Sequence, residues 1–137
     1  MIRYVESVEG VTPSQLQGFF VGWPAPPSPE THLEILRRAF RVVLAIDTGT
    51  NQVVGFINAV GDGIHAAYLP MLEVLPDYRK RGIGTELVRR MMDVLRNLYM
   101  VDLICDPELQ GFYERFGMFA RVGMAWRNFE RQSGGRT

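Results

Sequence analysis

A short basic turn with two glycines is the part of this sequence whose residue types and spacing point most clearly to chemistry. Arg79, Lys80 and Arg81 stand just before Gly82 and Gly84. A helix that begins here leaves its first backbone N–H groups without acceptors, and the positive end of its dipole adds to the basic charge. The glycines let a ligand approach the backbone, because no Cβ stands in the way. The pattern predicts an anion site suited to a phosphate-bearing cofactor.

The spacing of the glycines separates this turn from two common phosphate-binding motifs. A dinucleotide fingerprint needs a third glycine, but position 87 is leucine, and a P-loop needs Lys directly after its last glycine. The remaining pattern, Arg-x-x-Gly-x-Gly between a strand and a helix, resembles the acetyl-CoA signature of the GCN5-related N-acetyltransferase (GNAT) superfamily. Arg79, Gly82 and Gly84 match that signature position for position.

A second motif lies further along the chain and strengthens the resemblance. Residues 112–117 read Phe-Tyr-Glu-Arg-Phe-Gly, which is similar to the Phe-Tyr-x-x-x-Gly-Phe motif of the superfamily. The resemblance implies that Tyr113 is the general acid that protonates the departing thiolate of the cofactor. Two positions depart from the family pattern: Met118 follows Gly117 where phenylalanine is usual, and Asp106 replaces an asparagine that contacts pantetheine in many members.

The resemblance implies acetyl-CoA as the cofactor and assigns its contacts. The turn would bind the pyrophosphate, and the backbone of the preceding strand would pair with the pantetheine arm, where two strands part. The predicted cofactor-binding residues are Met71, Leu72, Val74, Arg79, Lys80, Arg81, Gly82, Ile83, Gly84, Thr85, Asp106 and Tyr113. No metal site is predicted.

No residue stands out as the base that deprotonates an attacking amine. Glu73 is the first candidate, although a solvated or structural carboxylate is the more ordinary interpretation. His65 is a second candidate, because histidine is a common general base, but a histidine after a Gly-Asp-Gly turn is usually only exposed. Cys105 lacks an evident partner base and is expected to be a small, buried residue. In some members of the superfamily ordered water takes this proton, and the resemblance implies that this chain could use the same route.

The acceptor amine is expected to bind between the first two helices and the proline-rich loop that joins them. Phe20, Trp23 and Tyr68 are the predicted substrate-binding residues. An apolar wall of this kind would suit an amine with a hydrophobic or aromatic body. Core packing of Phe19 and Phe20 at helical spacing is the alternative interpretation.

The elements that must position these residues alternate between strands and helices. Strands are predicted at 2–7, 42–46, 53–60, 66–74 and 101–105, with one or two more within 118–129, and helices begin near 13, 28, 83 and 106. Pro70 indicates an edge, a bulge or a local parting within the fourth strand. The order agrees with the GNAT superfamily. The predicted fold is therefore a single α/β (α+β) domain: a mixed, twisted sheet of six to seven strands, about four helices, and strands four and five splayed apart.

Length and composition limit the classes of protein that the sequence can represent. The chain has 137 residues with 47% hydrophobic content, which suits one domain over 1–130 and a flexible tail over 131–137. Lys plus Arg equals Asp plus Glu, so no global basic field favours nucleic acid. A single cysteine fits a reducing compartment, and no apolar run approaches a membrane span. We expect a cytoplasmic protein without nucleic-acid or membrane partners, in which edge strands would permit a homodimer.

These observations predict an N-acetyltransferase that moves an acetyl group from acetyl-CoA to a primary amine of a small molecule or peptide, in a ternary complex. The alternative is a non-catalytic acyl-CoA-binding or regulatory module of the same fold, which the lack of an obvious base favours. An unrelated nucleotide-binding domain would need a ribose-binding carboxylate within a Gly-fingerprinted unit. Asp106 is the only tempting carboxylate, and it lacks that fingerprint.

Overall fold

A five-stranded mixed sheet organises the computed structural model, which describes residues 1–135. The strands lie in sequence order, and each of the first three pairs antiparallel with the next, whereas the fourth and fifth are parallel. Their bounds are β1 Ile2–Val5, β2 Arg41–Asp47, β3 Gln52–Gly61, β4 Ala66–Val74 and β5 Met100–Asp102. The mixed α/β fold that the sequence predicts is thereby confirmed.

Within the described residues, three α-helices accompany the sheet: α1 Pro29–Arg38, α2 Ile83–Val94 and α3 Gln110–Glu114. The hydroxyl of Ser28 caps α1 by accepting the N–H of Thr31 at 3.1 Å, and proline at the first helical position needs no acceptor. Both longer helices bury one apolar stripe. On α2 it consists of Ile83, Leu87, Val88 and Met91, followed by Leu95 just past its end.

The two longer helices cover opposite faces of the sheet. A Cβ built on Gly55 of β3 would lie 3.1 Å from the Leu87 side chain, so this face belongs to α2. The next residue, Phe56, points the other way, and its ring packs 4.5 Å from that of His32 on α1. β2 and β3 are therefore buried on both faces, which explains their near-continuous apolar sequences.

The numbers of strands and helices differ from the prediction. The prediction of one or two further strands within 118–129 is wrong for this structure, because residues 118–128 form neither strand nor helix. The first predicted helix is also wrong, since it is only a 3₁₀ turn over Pro13–Leu16. Gly18 and Phe20 both adopt positive φ, at 90° and 64°, and this conformation cannot continue a helix.

The C-terminal residues return toward the start of α1. Phe129–Arg131 form a 3₁₀ turn, and the Ala25 N–H donates to Oε1 of Gln132 at 2.9 Å. The division into a domain over 1–130 and a flexible tail over 131–137 stays a prediction, and residues 136–137 lie outside the described residues. Within 1–135, no helix is long and apolar enough to cross a membrane.

Candidate active site

The sheet opens between β4 and β5 at the place where the sequence predicts splayed strands. β4 and β5 pair only from Ala66 with Met100 to Tyr68 with Asp102, after which β4 continues to Val74 with β3 as its one neighbour. The β3–β4 register shifts here, which inserts an extra residue into β4 around Pro70. Pro70 needs no acceptor for an N–H, so it suits this break. A stretch of strand edge is left open beside the turn.

The basic turn places unpaired backbone N–H groups beside that open edge. Gly82 is the N-cap of α2 with φ of 82°, and a Cβ built there would meet nothing within 4 Å. Across the described chain, the N–H groups of 81–85 have no protein acceptor, whereas the Glu86 N–H begins the helical bonding to Gly82 O. Ile83, the first residue of α2, is buried, whereas Gly84 is half-buried and Thr85 is exposed. The turn thus presents several N–H donors to an anion.

Side chains of the turn are held by the protein itself. The Tyr78 hydroxyl donates to Oδ2 of Asp47 at 2.5 Å, which raises the pKa of Tyr78 and lowers that of Asp47. The Arg81 guanidinium lies 5.0 Å from the centre of the Tyr78 ring. Arg79 Nε donates to the Val74 carbonyl oxygen at 3.0 Å. These contacts fix the turn against the ends of β2 and β4, and Lys80 is left exposed.

The hydrogen bond from Arg79 to Val74 competes with one of the predicted pantetheine contacts. The Val74 carbonyl already accepts from Arg79, so an arm that pairs there must share or displace that hydrogen bond. Met71 and Leu72 lie on the open stretch and are half-buried. Backbone groups at 71 and 72 are therefore the more accessible part of the predicted contact.

Tyr113 lies on the short helix α3, half-buried among aromatic and sulfur groups. Its ring is 4.9 Å from that of Phe112. Burial, and to a lesser extent the neighbouring Cys105 thiol, raises the pKa of Tyr113 above its usual 10.0. Its hydroxyl has no hydrogen-bond partner in the part of the chain that the structure describes. The phenol is therefore protonated at neutral pH and available as a donor.

Asp106 and Cys105 lead from β5 into α3. Asp106 is exposed, and its side chain makes no capping hydrogen bond to the 3₁₀ turn Pro107–Leu109 that follows it. Cys105 is half-buried rather than fully enclosed.

Glu73 has a contact that the sequence does not reveal. Its carboxylate accepts the Phe20 N–H at 2.8 Å and the Val21 N–H at 3.3 Å, from a loop more than fifty residues away in the chain. This bridge stabilises Phe20 in its unusual positive φ. The bridge favours a positioning role for Glu73, and its assignment as a catalytic base stays a prediction.

A cavity of about 290 Å³ lies between the 3₁₀ turn and the proline-rich loop, where the acceptor pocket is predicted. Its wall is formed by Leu16, Gln17, Gly18, Phe19, Phe20, Pro26, Pro27, Ser28, Pro29 and His32. Phe20 is only 4% exposed, so its ring belongs to the hydrophobic core as well as to the wall of the cavity. Trp23 is 40% exposed and packs 4.9 Å from Phe20, and Tyr68 is half-buried at the last β4–β5 pair. The structure does not place Trp23 or Tyr68 among the residues that line this cavity.

His32 is a residue of this region that the sequence analysis missed. It is fully buried among the rings of Phe19, Phe20 and Phe56, and neither of its nitrogens has a hydrogen-bond partner among the described residues. Burial lowers the pKa of His32 to about 4, so the imidazole is neutral at physiological pH. Its position one residue before Leu33 and four before Leu36, on the apolar stripe of α1, is the signal that could have revealed it.

His65, the other histidine, lies apart from the open edge. It is exposed at the start of β4 and stacks on the Tyr99 ring at 5.0 Å. Among residues 1–135, no cluster of three or more histidine, cysteine or acidic side chains could hold a metal ion.

Comparison with known proteins identifies the family to which this arrangement belongs. The family model described as the acetyltransferase (GNAT) family matches residues 8–118. The chain belongs to the GNAT family. A proposed acetyltransferase from Deinococcus radiodurans R1 has a similar structure, with 48% identity and a TM-score of 0.94 over 99% of this chain and 94% of that one. A GNAT-family acetyltransferase from Streptococcus pneumoniae TIGR4 gives 30% identity and a TM-score of 0.75 over 93% of this chain and 98% of that one.

Curated relatives of the GNAT chain include a GCN5-related N-acetyltransferase 1, chloroplastic, from Arabidopsis thaliana. It is 25% identical over 114 residues, which cover 81% of this chain and 58% of the relative. The chain spans about half the length of the curated relatives that it matches. The family and the fold are thus shown, and the two sequence motifs that suggested them lie within the matched region.

Proposed function

We propose that this protein transfers an acetyl group from acetyl-CoA to a primary amine of a small molecule or peptide, by direct transfer between two bound substrates. The proposal is supported by one observation: the unpaired N–H groups at the start of α2 lie beside the open edge of β4. The N–H groups suit a pyrophosphate, and the open edge suits an extended amide-containing arm. Membership of the acetyltransferase (GNAT) family supports the same cofactor.

The residues present fit such a cofactor. Gly82 leaves open space where any other residue would put a Cβ, so a phosphate can reach the backbone there. Lys80 is exposed and adds positive charge beside the donors. The open edge of β4 carries N–H and C=O groups near 71 and 72 that can pair with the amides of the arm. Acetyl-CoA, when bound, would supply the acyl group as a thioester.

The groups of this chain that would handle protons are Tyr113 and the solvent near the open edge. Acetyl transfer forms a C–N bond and breaks a C–S bond, while a proton leaves the amine and another reaches the sulfur. Tyr113 keeps its proton at neutral pH and can donate it to a thiolate. A backbone N–H near Leu72 would donate to the carbonyl oxygen as negative charge develops on it. Since the Glu73 carboxylate already bridges the 20–21 loop, ordered water would take the amine proton.

The acceptor is proposed to bind in the cavity beside the proline-rich loop. Phe20 and its loop are tied to β4 through Glu73, so the cavity wall and the open strand edge are held in a defined relation. Trp23 covers Phe20 at the surface and would present an aromatic face to an incoming amine. The mixture of aromatic rings and prolines favours an amine with an apolar body.

The direct test is thermal unfolding with and without saturating acetyl-CoA, with ATP and NAD as controls. A ligand at about 100 times its Kd stabilises a protein by roughly 2.7 kcal/mol, which is readily seen as a rise in Tm. A rise specific to acetyl-CoA is expected. No rise, or a larger one with a nucleotide, would show that the turn does not bind this cofactor.

The second stage separates an enzyme from a binding module. Amines and peptides with free N-termini are incubated with the protein and acetyl-CoA, and released thiol is measured. Thiol release that depends on the amine is expected. A cofactor-specific rise in Tm without thiol release from any amine would favour the non-catalytic module, for which the engaged Glu73 carboxylate is the supporting observation.

A further inference from the structure

The wall of the cavity beside the proline-rich loop contains a buried polar side chain, His32, that has no hydrogen-bond partner among residues 1–135. Two other polar side chains belong to this wall. The Ser28 hydroxyl is occupied, because it accepts the Thr31 N–H and donates to the Thr31 hydroxyl, and Gln17 is exposed to solvent. His32 therefore offers hydrogen-bonding capacity that a molecule inside the cavity can use.

Three aromatic rings hold the imidazole of His32 in place and give it no polar neighbour. The ring centres of Phe56, Phe20 and Phe19 lie 4.5, 4.7 and 5.3 Å from the imidazole centre. The Phe20 ring is itself held in place, because Glu73 accepts the Phe20 N–H at 2.8 Å. An imidazole in this position loses its hydrogen bonds to water on folding and regains none from these rings. A phenylalanine would fill the same space without that cost, so the histidine indicates a partner that comes from outside the chain.

The imidazole is neutral, and the wall around it carries no charged side chain. Burial lowers the pKa of His32 to about 4, so at neutral pH the ring has one donor nitrogen and one acceptor nitrogen. Within residues 1–135, no Lys, Arg, Asp or Glu belongs to the wall. A carboxylate or an ammonium group at this depth would lose its hydration without gaining an ion pair. The group that suits His32 is therefore polar but neutral.

A hydroxyl is the smallest neutral group that can pair with either nitrogen of the ring. It donates one hydrogen bond and accepts others, so it can pair with the imidazole in both of its neutral tautomers. A carbonyl oxygen only accepts, so it would suit the protonated nitrogen alone. A bare alkyl or phenyl group would leave both nitrogens unpaired.

We propose that His32 determines the specificity of the acceptor cavity, by selecting amines whose apolar body carries a hydroxyl over amines whose body is a bare hydrocarbon. The hydroxyl bonds to an imidazole nitrogen, while the aromatic rings and prolines of the wall enclose the hydrocarbon. The amine, which is charged in water, stays toward β4, whose Glu73 holds the Phe20 loop. This inference rests on the proposed function and names the class of acceptor.

Matched pairs of amines test this selection. Tyramine and phenethylamine differ only by a hydroxyl, and so do aminohexanol and hexylamine. Release of thiol from acetyl-CoA is measured with each amine. In at least one pair, kcat/KM should be roughly ten- to a hundredfold higher for the hydroxylated member, because its analogue leaves a buried nitrogen unpaired.

The variant His32→Phe removes both nitrogens and keeps a ring of similar size. It should bring the ratio of kcat/KM within that pair close to one, mainly by raising KM for the hydroxylated amine. His65→Phe is the matched control, because His65 is the other histidine and stacks on Tyr99 at the surface, and it should keep the wild-type ratio. A wild-type ratio in His32→Phe would overturn the proposal.

Nitrogen NMR of the imidazole rings tests the contact itself, without turnover and with His32 intact. The chain has two histidines, so His65→Phe retains the signals of His32 alone. Tyramine or aminohexanol should move a His32 nitrogen signal, and phenethylamine and hexylamine should not. Equal movement by both members of each pair, or by none of the four amines, would overturn the proposal.

The two measurements separate this inference from the proposed function. Movement of the His32 signal by a hydroxylated amine, without thiol release from any amine, would support the hydroxyl site and contradict acetyl transfer. Thiol release with no preference within either pair, and with no movement of the His32 signal, would support acetyl transfer and overturn the role of His32.

Discussion

Tyr113 combines two properties that a proton donor to a thiolate needs. Its pKa is raised, so the proton is present throughout the physiological range, and its hydroxyl is not committed to another protein group among residues 1–135. Free thiols have pKa values near 8.5, so a phenol beside the sulfur is a weak but usable acid.

Tyr113→Phe should lower turnover roughly 100-fold, as is typical when a general acid is removed, while acetyl-CoA affinity stays nearly unchanged because the ring is kept. Steady-state kinetics and the acetyl-CoA-induced rise in Tm measure the two effects separately. Tyr99→Phe is the control, since Tyr99 is exposed and stacks on His65 outside the open edge. Equal turnover in wild type and Tyr113→Phe would remove Tyr113 as the acid.

Glu73 shows that strand alternation can locate a side chain while its hydrogen-bond partners stay hidden in the sequence. Strand alternation correctly puts its side chain on the face opposite Val74, which contacts the α2 side near Gly84. Its partners, the Phe20 and Val21 N–H groups, come from a loop whose positive φ at Phe20 no residue-type rule predicts. The sequence therefore suggests Glu73 as a candidate base, and the structure shows that its carboxylate anchors a loop.

At the scale of elements, the turn between β4 and α2 forms the candidate cofactor site. Gly82 has positive φ and open space, and Tyr78 and Arg79 tie the turn to β2 and β4. Within α2, Glu86 binds Arg89 and Arg90, and these hydrogen bonds lower the pKa of Glu86 to about 2. The acidic group in the first turn is thus neutralised by its neighbours and does not oppose an anion at the helix start.

Gly82→Glu should abolish the acetyl-CoA-induced rise in Tm, because the new side chain fills the open space and its carboxylate repels a pyrophosphate. Gly10→Glu is a matched control: Gly10 also has positive φ and nothing within 4 Å of a built Cβ, but it lies outside the turn. Both variants incur the same kind of backbone strain, about 1–2 kcal/mol. A full rise in Tm in Gly82→Glu would place the cofactor elsewhere.

At the scale of the whole molecule, His32 makes the free energy of unfolding depend on pH, because its side chain is buried in the core between α1 and the sheet. The unfolded chain protonates this imidazole near pH 6.5, whereas burial holds its pKa at about 4 in the folded state. Between these values the unfolded state binds more protons, so the free energy of unfolding falls as the pH falls through this window. Asp62 and Glu86, with pKa values of about 2, lose their contributions mainly below pH 4.5.

The free energy of unfolding should therefore drop by about 2 kcal/mol between about pH 7 and pH 5 because of His32. Urea denaturation at the two pH values measures the drop, and His32→Leu should remove most of it. His65→Leu should retain it, since His65 is the only other histidine and is exposed. An equal drop in His32→Leu and wild type would show that another group is responsible.

Sequence patterns predicted most of the sheet because its signals are local. The apolar runs that became β2, β3 and β4, the glycine-bearing turn and the stripe of α2 each follow from residue type and spacing within one element. The short first helix failed because Gly18 and Phe20 adopt positive φ, which interrupts a good helical pattern. The strands predicted in 118–129 failed because a strand also needs a partner edge, and none of the described strands pairs with this stretch.

The sequence by itself indicated the family, the order of β1 to β5 and of α1 to α3, and the turn at 79–85, because motifs and periodicities are properties of neighbouring residues. Only the tertiary structure decided that Glu73 anchors the Phe20 loop, that His32 is buried with no hydrogen-bond partner among residues 1–135, and that residues 118–128 pair with no strand in that range. Each of these depends on which distant segments meet. The free energy of such contacts comes from hydrogen-bond pairing and burial between elements, and the spacing of residues along the chain does not show which elements will meet.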